Sequence, residues 1–183
     1  MKTLLHICCA PCSVACIKAL REEGIEPTGY WYNPNIHPVT EYRNRRDTLI
    51  NYAKEIGMEL VVDDTYGLRD FVRATAGNIL ARCNYCYALR LEEAAKYAAE
   101  NGFDSFTSTL FISPYQDHEL MIKVAEKAAE KYNVTFLYRD FRPYFRAGQN
   151  EAREKGMYMQ KYCGCIFSEE DRYLKTDRKE KQK

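Results

Sequence analysis

The eight cysteines of this chain fall in three groups: Cys8, Cys9, Cys12 and Cys16; Cys83 and Cys86; Cys163 and Cys165. Thiols bunched in this way support two chemistries. As thiolates they bind soft metals, and as pairs they cycle between dithiol and disulfide. Cys8-Cys9-Ala10-Pro11-Cys12-Ser13 follows an apolar run, and Pro11 suits the first turn of a helix. These thiols therefore sit at a strand-to-helix turn, where free helix N–H groups and positive potential favour the thiolate. Cys16, one turn beyond Cys12, reads as a small buried core residue. Cys83 and Cys86 form a CxxC at a loop-to-helix junction, a spacing that lets both sulfurs face one metal. Cys163-Gly164-Cys165 is a CxC whose glycine permits a tight turn; a metal and a redox dithiol remain equally open there. Cys8 and Cys9 are expected to point to opposite sides, because successive side chains of an extended chain alternate. One would then face one metal and the other a neighbouring site, with Cys12 between them and Cys163 and Cys165 closing the assembly.

A single tetrahedral zinc takes four ligands, and five to seven clustered thiols exceed that number. The three histidines do not add to the set. His6 lies within a strand, His37 in a Pro-Asn loop and His118 on a helix, and each reads as structural. An iron–sulfur cluster needs about four thiolates and accepts dispersed ones. An iron–sulfur centre is the first expectation. A thiol–disulfide oxidoreductase is the second, with Cys83/Cys86 or Cys163/Cys165 as the dithiol. A zinc-stabilised RNA- or nucleotide-binding module is the third.

The elements that position these thiols follow a βα alternation. Thr3–Cys8 reads as a strand, and Ser13–Glu23 as a helix with Val14, Ile17 and Leu20 on its inner face, ended by Gly24. Glu26–Tyr32 reads as a strand broken by Asn33-Pro34-Asn35, Val39–Ile56 as a long helix and Met58–Val62 as a strand. Leu68–Thr75 and Tyr85–Asn101 are helical, Ser105–Phe111 a strand, His118–Tyr132 a helix, Thr135–Tyr138 a strand and Gln149–Lys155 a helix. Strands alternating with helices predict a parallel α/β sheet in three layers, and 183 residues without a repeat or linker suit one domain.

With 27 basic and 26 acidic side chains, the chain does not coat nucleic acid by bulk charge. No run of 18 apolar residues spans a membrane, and the apolar start is too short for a signal peptide. Eight cysteines in such a chain are not a disulfide framework, and the expected location is cytoplasmic. The basic end, KTDRKEKQK, reads as part of a solvated, frayed tail over about 170–183.

The segments LLHICCAPCS, RCNYCYALRL, FTSTLFISPYQD, DFRPYF and YCGCIFS, in order from residue 4 to 168, resemble the QueH-type epoxyqueuosine reductases. The resemblance implies reduction of epoxyqueuosine to queuosine at the wobble position of tRNA, without cobalamin. It implies a [4Fe-4S] cluster, with an adjacent mononuclear iron and an external electron donor. Cys8, Cys9, Cys83 and Cys86 are the expected cluster contacts within a metal-binding set of Cys8, Cys9, Cys12, Cys83, Cys86, Cys163 and Cys165. The fold looks like that of HUP-type nucleotide-binding proteins and PP-loop ATPases. Those carry a Ser-Gly-Gly-x-Asp-Ser loop where CCAPCS stands here, and the loss of its glycines argues against ATP use.

Reduction of an epoxide also needs proton donors. Asp140, after the fifth strand, and Tyr115 are the candidates; the alternative for Asp140 is an ion pair with Arg139 or Arg142, and Asp117 reads as a helix cap. For tRNA, Arg43, Arg45 and Arg46 beside Trp31 and Tyr32 combine cations with stacking surfaces. The alternative is an ordinary solvated helix face.

Overall fold

Thr3–His6, buried at every position, forms β1 at the centre of a five-stranded sheet. The computed structural model describes residues 1–174 of the chain. The other strands are β2 (Pro27–Trp31), β3 (Leu60–Val62), β4 (Ser105–Ser108) and β5 (Thr135–Phe136), in the order β3-β2-β1-β4-β5. All pairs are parallel, with Thr3 opposite Pro27 on one side and Ser105 on the other. The central strands β1, β2 and β4 are buried throughout, as a parallel sheet covered on both faces requires.

The helices are α1 (Ala10–Glu22), α2 (Val39–Glu55), α3 (Leu68–Thr75), α4 (Arg82–Glu100), α5 (His118–Tyr132), α6 (Phe145–Glu154) and α7 (Ile166–Tyr173). α1 packs against α6 and α2, and α4 packs against α5. The α1–α6 approach is close: a Cβ at Gly148 would stand 2.9 Å from that of Ala15. Gly24 ends α1 at φ +75°, a conformation glycine takes without a side-chain clash. The chain runs outward from β1 to β3, then returns to lay β4 beside β1. That reversal opens a crevice at the carboxyl ends of β1 and β4, the place where open α/β sheets bind their ligands.

The α/β alternation is as expected, and the element ends are shifted. α1 begins at Ala10 and α4 at Arg82, so Cys12 and Cys83 lie in first helical turns, and Cys86 follows in the second turn of α4. β4 stops at Ser108, where the Ser108 hydroxyl accepts from the Leu110 N–H and starts a 3-10 turn over Thr109–Ile112. α6 starts at Phe145. α7 was not anticipated, and it carries ordered helix to Tyr173, past the start of the expected frayed tail; residues 175–183 of that tail lie outside the described residues. Among the described residues, no helix is long and apolar enough to cross a membrane.

Candidate metal-binding site

β1 ends at His6, the chain bends at Cys8, and Cys9 stands in front of α1 in extended conformation. Because the backbone turns at Cys8, the expected alternation of Cys8 and Cys9 to opposite sides does not occur. Their sulfurs lie 3.9 Å apart, and together with the Cys12 sulfur they fall within 4.8 Å of one another. Thr109 ties this group across the crevice: its Oγ1 accepts from the Cys8 N–H at 3.1 Å and its hydroxyl stands 3.3 Å from the Cys8 sulfur. Hydrogen bonds from Cys12 and Cys9 hold the Cys8 thiol well below its ordinary pKa against the cost of burial, with Thr109 and the Arg90 charge adding to the effect. Burial pushes Cys9 up, and hydrogen bonding to Cys8 and Cys9 pushes Cys12 up. The Gln160 amide nitrogen adds a contact to the Cys12 sulfur at 3.5 Å. Cys16 is fully buried among core side chains, as expected.

The second thiol group is assembled from distant segments. Cys86 is buried against Phe71 and Cys165, with Tyr85, Leu89 and Phe167 packed around them. Cys83 and Cys163 stand at the surface. Cys83, Cys163 and Cys165 all act electrostatically on Cys86, whose pKa burial pushes up to about 12. Arg45 and His37 fix the loop carrying Cys163 and Cys165. The Arg45 guanidinium, paired with Glu41 at 2.6 Å, donates to the carbonyls of Cys163 at 2.9 Å and Tyr162 at 3.0 Å. The His37 N–H donates to the Gly164 carbonyl at 2.8 Å, and its ring Nδ1 accepts from the Ile166 N–H at 3.2 Å. Nε2 then donates to the Pro34 carbonyl at 3.0 Å, and burial lowers the ring pKa to about 4, which keeps it neutral. The Tyr162 hydroxyl donates to the His37 carbonyl at 2.6 Å. Arg82 joins α4 to α7 through an ion pair with Asp171 at 2.6 Å.

Sequence reasoning missed four residues that touch these thiols. Arg90, buried one turn beyond Cys86, donates to the Cys86 carbonyl and stands 3.1 Å from the Cys86 sulfur. Thr109 and Gln160 are described above, and the Gln116 amide nitrogen lies 3.6 Å from the Cys163 sulfur. A signal for Arg90 existed: it shares the inner face of α4 with Cys86, Ala94 and Ala98.

Other expected residues are placed differently. Asp140 lies with Ala19, Glu22, Glu23 and Arg139 around a shallow cavity near the carboxyl end of α1, a helix length from the thiols at its amino end. It is forked onto Arg142 at 2.6 and 2.8 Å, and that contact lowers its carboxyl pKa. The expected proton donor is thus an ionised structural carboxylate remote from the site. Tyr115 is 83% exposed on the loop next to Gln116, at the rim of the thiol site. Asp117 caps α5 by accepting from the Leu120 N–H at 3.0 Å.

The expected tRNA stripe is split. Trp31 is fully buried and donates to the Tyr42 hydroxyl, and Arg45 is 2% exposed and committed to its two carbonyls and Glu41, so neither presents itself to a phosphate or a base. Arg43 is exposed, Arg46 is ion-paired with Asp64 and Asp47, and Tyr32 is half-buried and stacked on Tyr30. His6 is buried and hydrogen-bonded to Ser108 and the Tyr32 carbonyl, and His118 to the Tyr138 hydroxyl, both as structural residues.

The donor set is chemically uniform. The tight group of Cys8, Cys9 and Cys12 holds cysteines alone, without carboxylate or imidazole, a donor set that suits soft metal ions and iron–sulfur clusters. Fold and site together define a doubly wound α/β protein with a three-cysteine group able to hold a metal at its switch point. A family model described as "Epoxyqueuosine reductase QueH" matches residues 3–171. The chain belongs to that family. It is 37% identical to the epoxyqueuosine reductase QueH of Dehalococcoides mccartyi, covering 96% of this chain and 97% of that one. The QueH of Haemophilus influenzae is 37% identical over 93% of this chain and 72% of its own, and that of Thermotoga maritima 32% over 90% and 88%.

Proposed function

We propose that this protein reduces epoxyqueuosine to queuosine in tRNA, at the wobble position, with iron held by Cys8, Cys9, Cys12, Cys83, Cys86, Cys163 and Cys165. The gathering of Cys8, Cys9 and Cys12 at the carboxyl end of β1, in a chain of this family, carries the reading. The reaction is epoxide plus two electrons and two protons to alkene plus water. Held by these cysteines, a [4Fe-4S] cluster would relay the electrons and an adjacent iron would serve as a Lewis acid toward the epoxide oxygen. An external donor supplies the electrons, and reduced thiols and a tRNA substrate fit the cytoplasm.

The two groups suggest a division of labour. Two thiolates on one tetrahedral ion, with bonds of about 2.3 Å, stand roughly 3.8 Å apart. Cys8 and Cys9 are 3.9 Å apart, a separation that would let both hold a single ion together with Cys12. Cys83, Cys86, Cys163 and Cys165 supply the four thiolates of a cubane, which is wider than one ion. This revises the expected cluster set, because Cys8 and Cys9 act as a unit with Cys12. Tyr115, at the rim, is the remaining candidate proton donor, and Arg43, Arg46 and Tyr32 remain candidates for tRNA contact.

Anaerobically isolated protein, assayed for iron, sulfide and turnover of epoxyqueuosine-containing tRNA with a chemical reductant, tests the reading. Active protein should hold more iron than sulfide by about one per chain, given the equal iron and sulfide of a cubane. Equal amounts in fully active enzyme would remove the second iron and return the spare thiols to a redox dithiol. Inactive protein holding zinc alone would favour an RNA-binding module.

A further inference from the structure

Three arginines are buried in the described structure, and they differ in what balances their charge. Arg45 is paired with Glu41 at 2.6 Å and Arg82 with Asp171 at 2.6 Å. Arg90, 2% exposed, has no carboxylate within ion-pair distance among the described residues. Its guanidinium is oriented by one bond to the Cys86 carbonyl at 3.1 Å, and Nη2 stands 3.1 Å from the Cys86 sulfur. A buried cation without a counter-charge is costly, and burial alone would push Arg90 toward neutrality. The Cys86 sulfur, anionic once it binds a soft metal, is the group of opposite charge in contact with it.

We propose that Arg90 is a positioning residue whose fixed positive charge is the counter-ion of the metal–thiolate assembly and raises the reduction potential of the iron–sulfur centre bound there. The proposal rests on the metal reading given above. Thiolates and sulfides leave a cluster net negative, and each added electron increases that charge. Net charge and hydrogen bonds to sulfur are the protein's means of setting the potential. An arginine presents a hydrogen-bonding fork as well as a charge, and Cys86 receives both.

The test compares wild-type protein with Arg90→Met and Arg90→Lys, each prepared anaerobically, by iron and sulfide content and by potentiometric titration followed by electron paramagnetic resonance. In Arg90→Met the equilibrium constant for one-electron reduction should fall at least tenfold, a drop of about 59 mV or more. Arg90→Lys, which keeps the charge and loses the fork, should retain most of the wild-type potential. A loaded Arg90→Met protein at the wild-type potential overturns the proposal. Should Arg90→Met hold no cluster, iron retention decides: metal kept in Arg90→Lys supports the charge, and metal lost from both variants overturns it in favour of a packing role. Wild-type protein without a cluster would instead count against the metal reading itself.

Discussion

The two thiol groups are built in opposite ways. Cys8, Cys9 and Cys12 come from five consecutive residues at one strand-to-helix turn, and the backbone that makes the turn also makes the site. Cys83, Cys86, Cys163 and Cys165 come from the first two turns of α4 and a loop almost eighty residues later. Their meeting depends on Arg45 and His37, which hold the late loop through its carbonyls and N–H groups. The first group is preorganised by local geometry, the second by buried polar contacts far along the chain. Loss of one long-range contact should therefore disturb the second group and leave the first intact.

The largest effect separates the groups by what they hold. Cys86→Ser replaces a soft thiolate by a hard hydroxyl, and most iron and sulfide should be lost together with all reduction. Cys12→Ser should lose about one iron per chain and keep its sulfide, if three thiolates and an open position define that site. Metal analysis of the two variants reads this directly. Sulfide lost from Cys12→Ser and kept in Cys86→Ser would reverse the division of labour.

Next in size is the latch. Arg45→Met leaves Glu41 buried without its partner, retaining only the hydroxyl of Tyr158. Removing one member of a buried pair costs about 3–5 kcal/mol, and the carbonyls of Tyr162 and Cys163 lose their donors as well. Urea denaturation should show that loss, with iron released from the α4 group at denaturant concentrations where the wild-type protein holds it. A variant with wild-type stability and metal content would mean that the late loop holds itself.

Acid should act through His37. Its pKa is about 4 in the folded chain against 6.5 for an exposed imidazole. Between these values the unfolded chain takes up a proton that the folded chain refuses, so the stability present above pH 6.5 falls as the pH drops toward 4. From pH 7 to pH 5 this amounts to about 2 kcal/mol. Urea midpoints of metal-free protein at the two pH values measure it, and His37→Gln should reduce the difference. His6, in the first region, has its pKa lowered to about 4 by burial and keeps its own share of acid sensitivity in that variant. An unchanged pH difference in His37→Gln would remove His37 as the brace.

The same contrast decides what the sequence disclosed. The local group was visible at once, because Cys8, Cys9 and Cys12 are adjacent and an apolar run and Pro11 mark the turn. Its internal geometry was not, since the bend at Cys8 cancels the alternation of an extended chain. The βα order followed from periodicity and glycine stops, whereas β4 was drawn too long because Leu110, Phe111 and Ile112 continue an apolar run after Ser108 turns the chain. One reason explains both the phosphate role expected of Arg45 and the absence of any expectation for Arg90. An arginine on a helix ordinarily sends its charge to water, and only the fold reveals carbonyls and sulfurs waiting inside. α7 escaped because its eight residues carry no side-chain cap at Cys165.

The smallest effect concerns the surface of α2, the helix whose buried side carries Arg45. Arg43 is exposed and Arg46 is bound to Asp64 and Asp47, so contact with phosphate would require Arg46 to exchange those partners. Double replacement of Arg43 and Arg46 by Ala should weaken tRNA binding and reduce the salt slope by roughly 0.7–0.9 per lost phosphate contact. Because Arg46 already has carboxylate partners, the expected reduction lies nearer one contact than two. Iron and sulfide should remain at wild-type levels, since neither side chain touches the cysteine loop that Arg45 secures. Binding measured across a salt series would show the change in slope, and the metal assay on the same preparation separates it from damage to the site. An unaltered slope would make the outer face of α2 an ordinary solvated surface, leaving its inner face, through Arg45, as the side that serves the metal site.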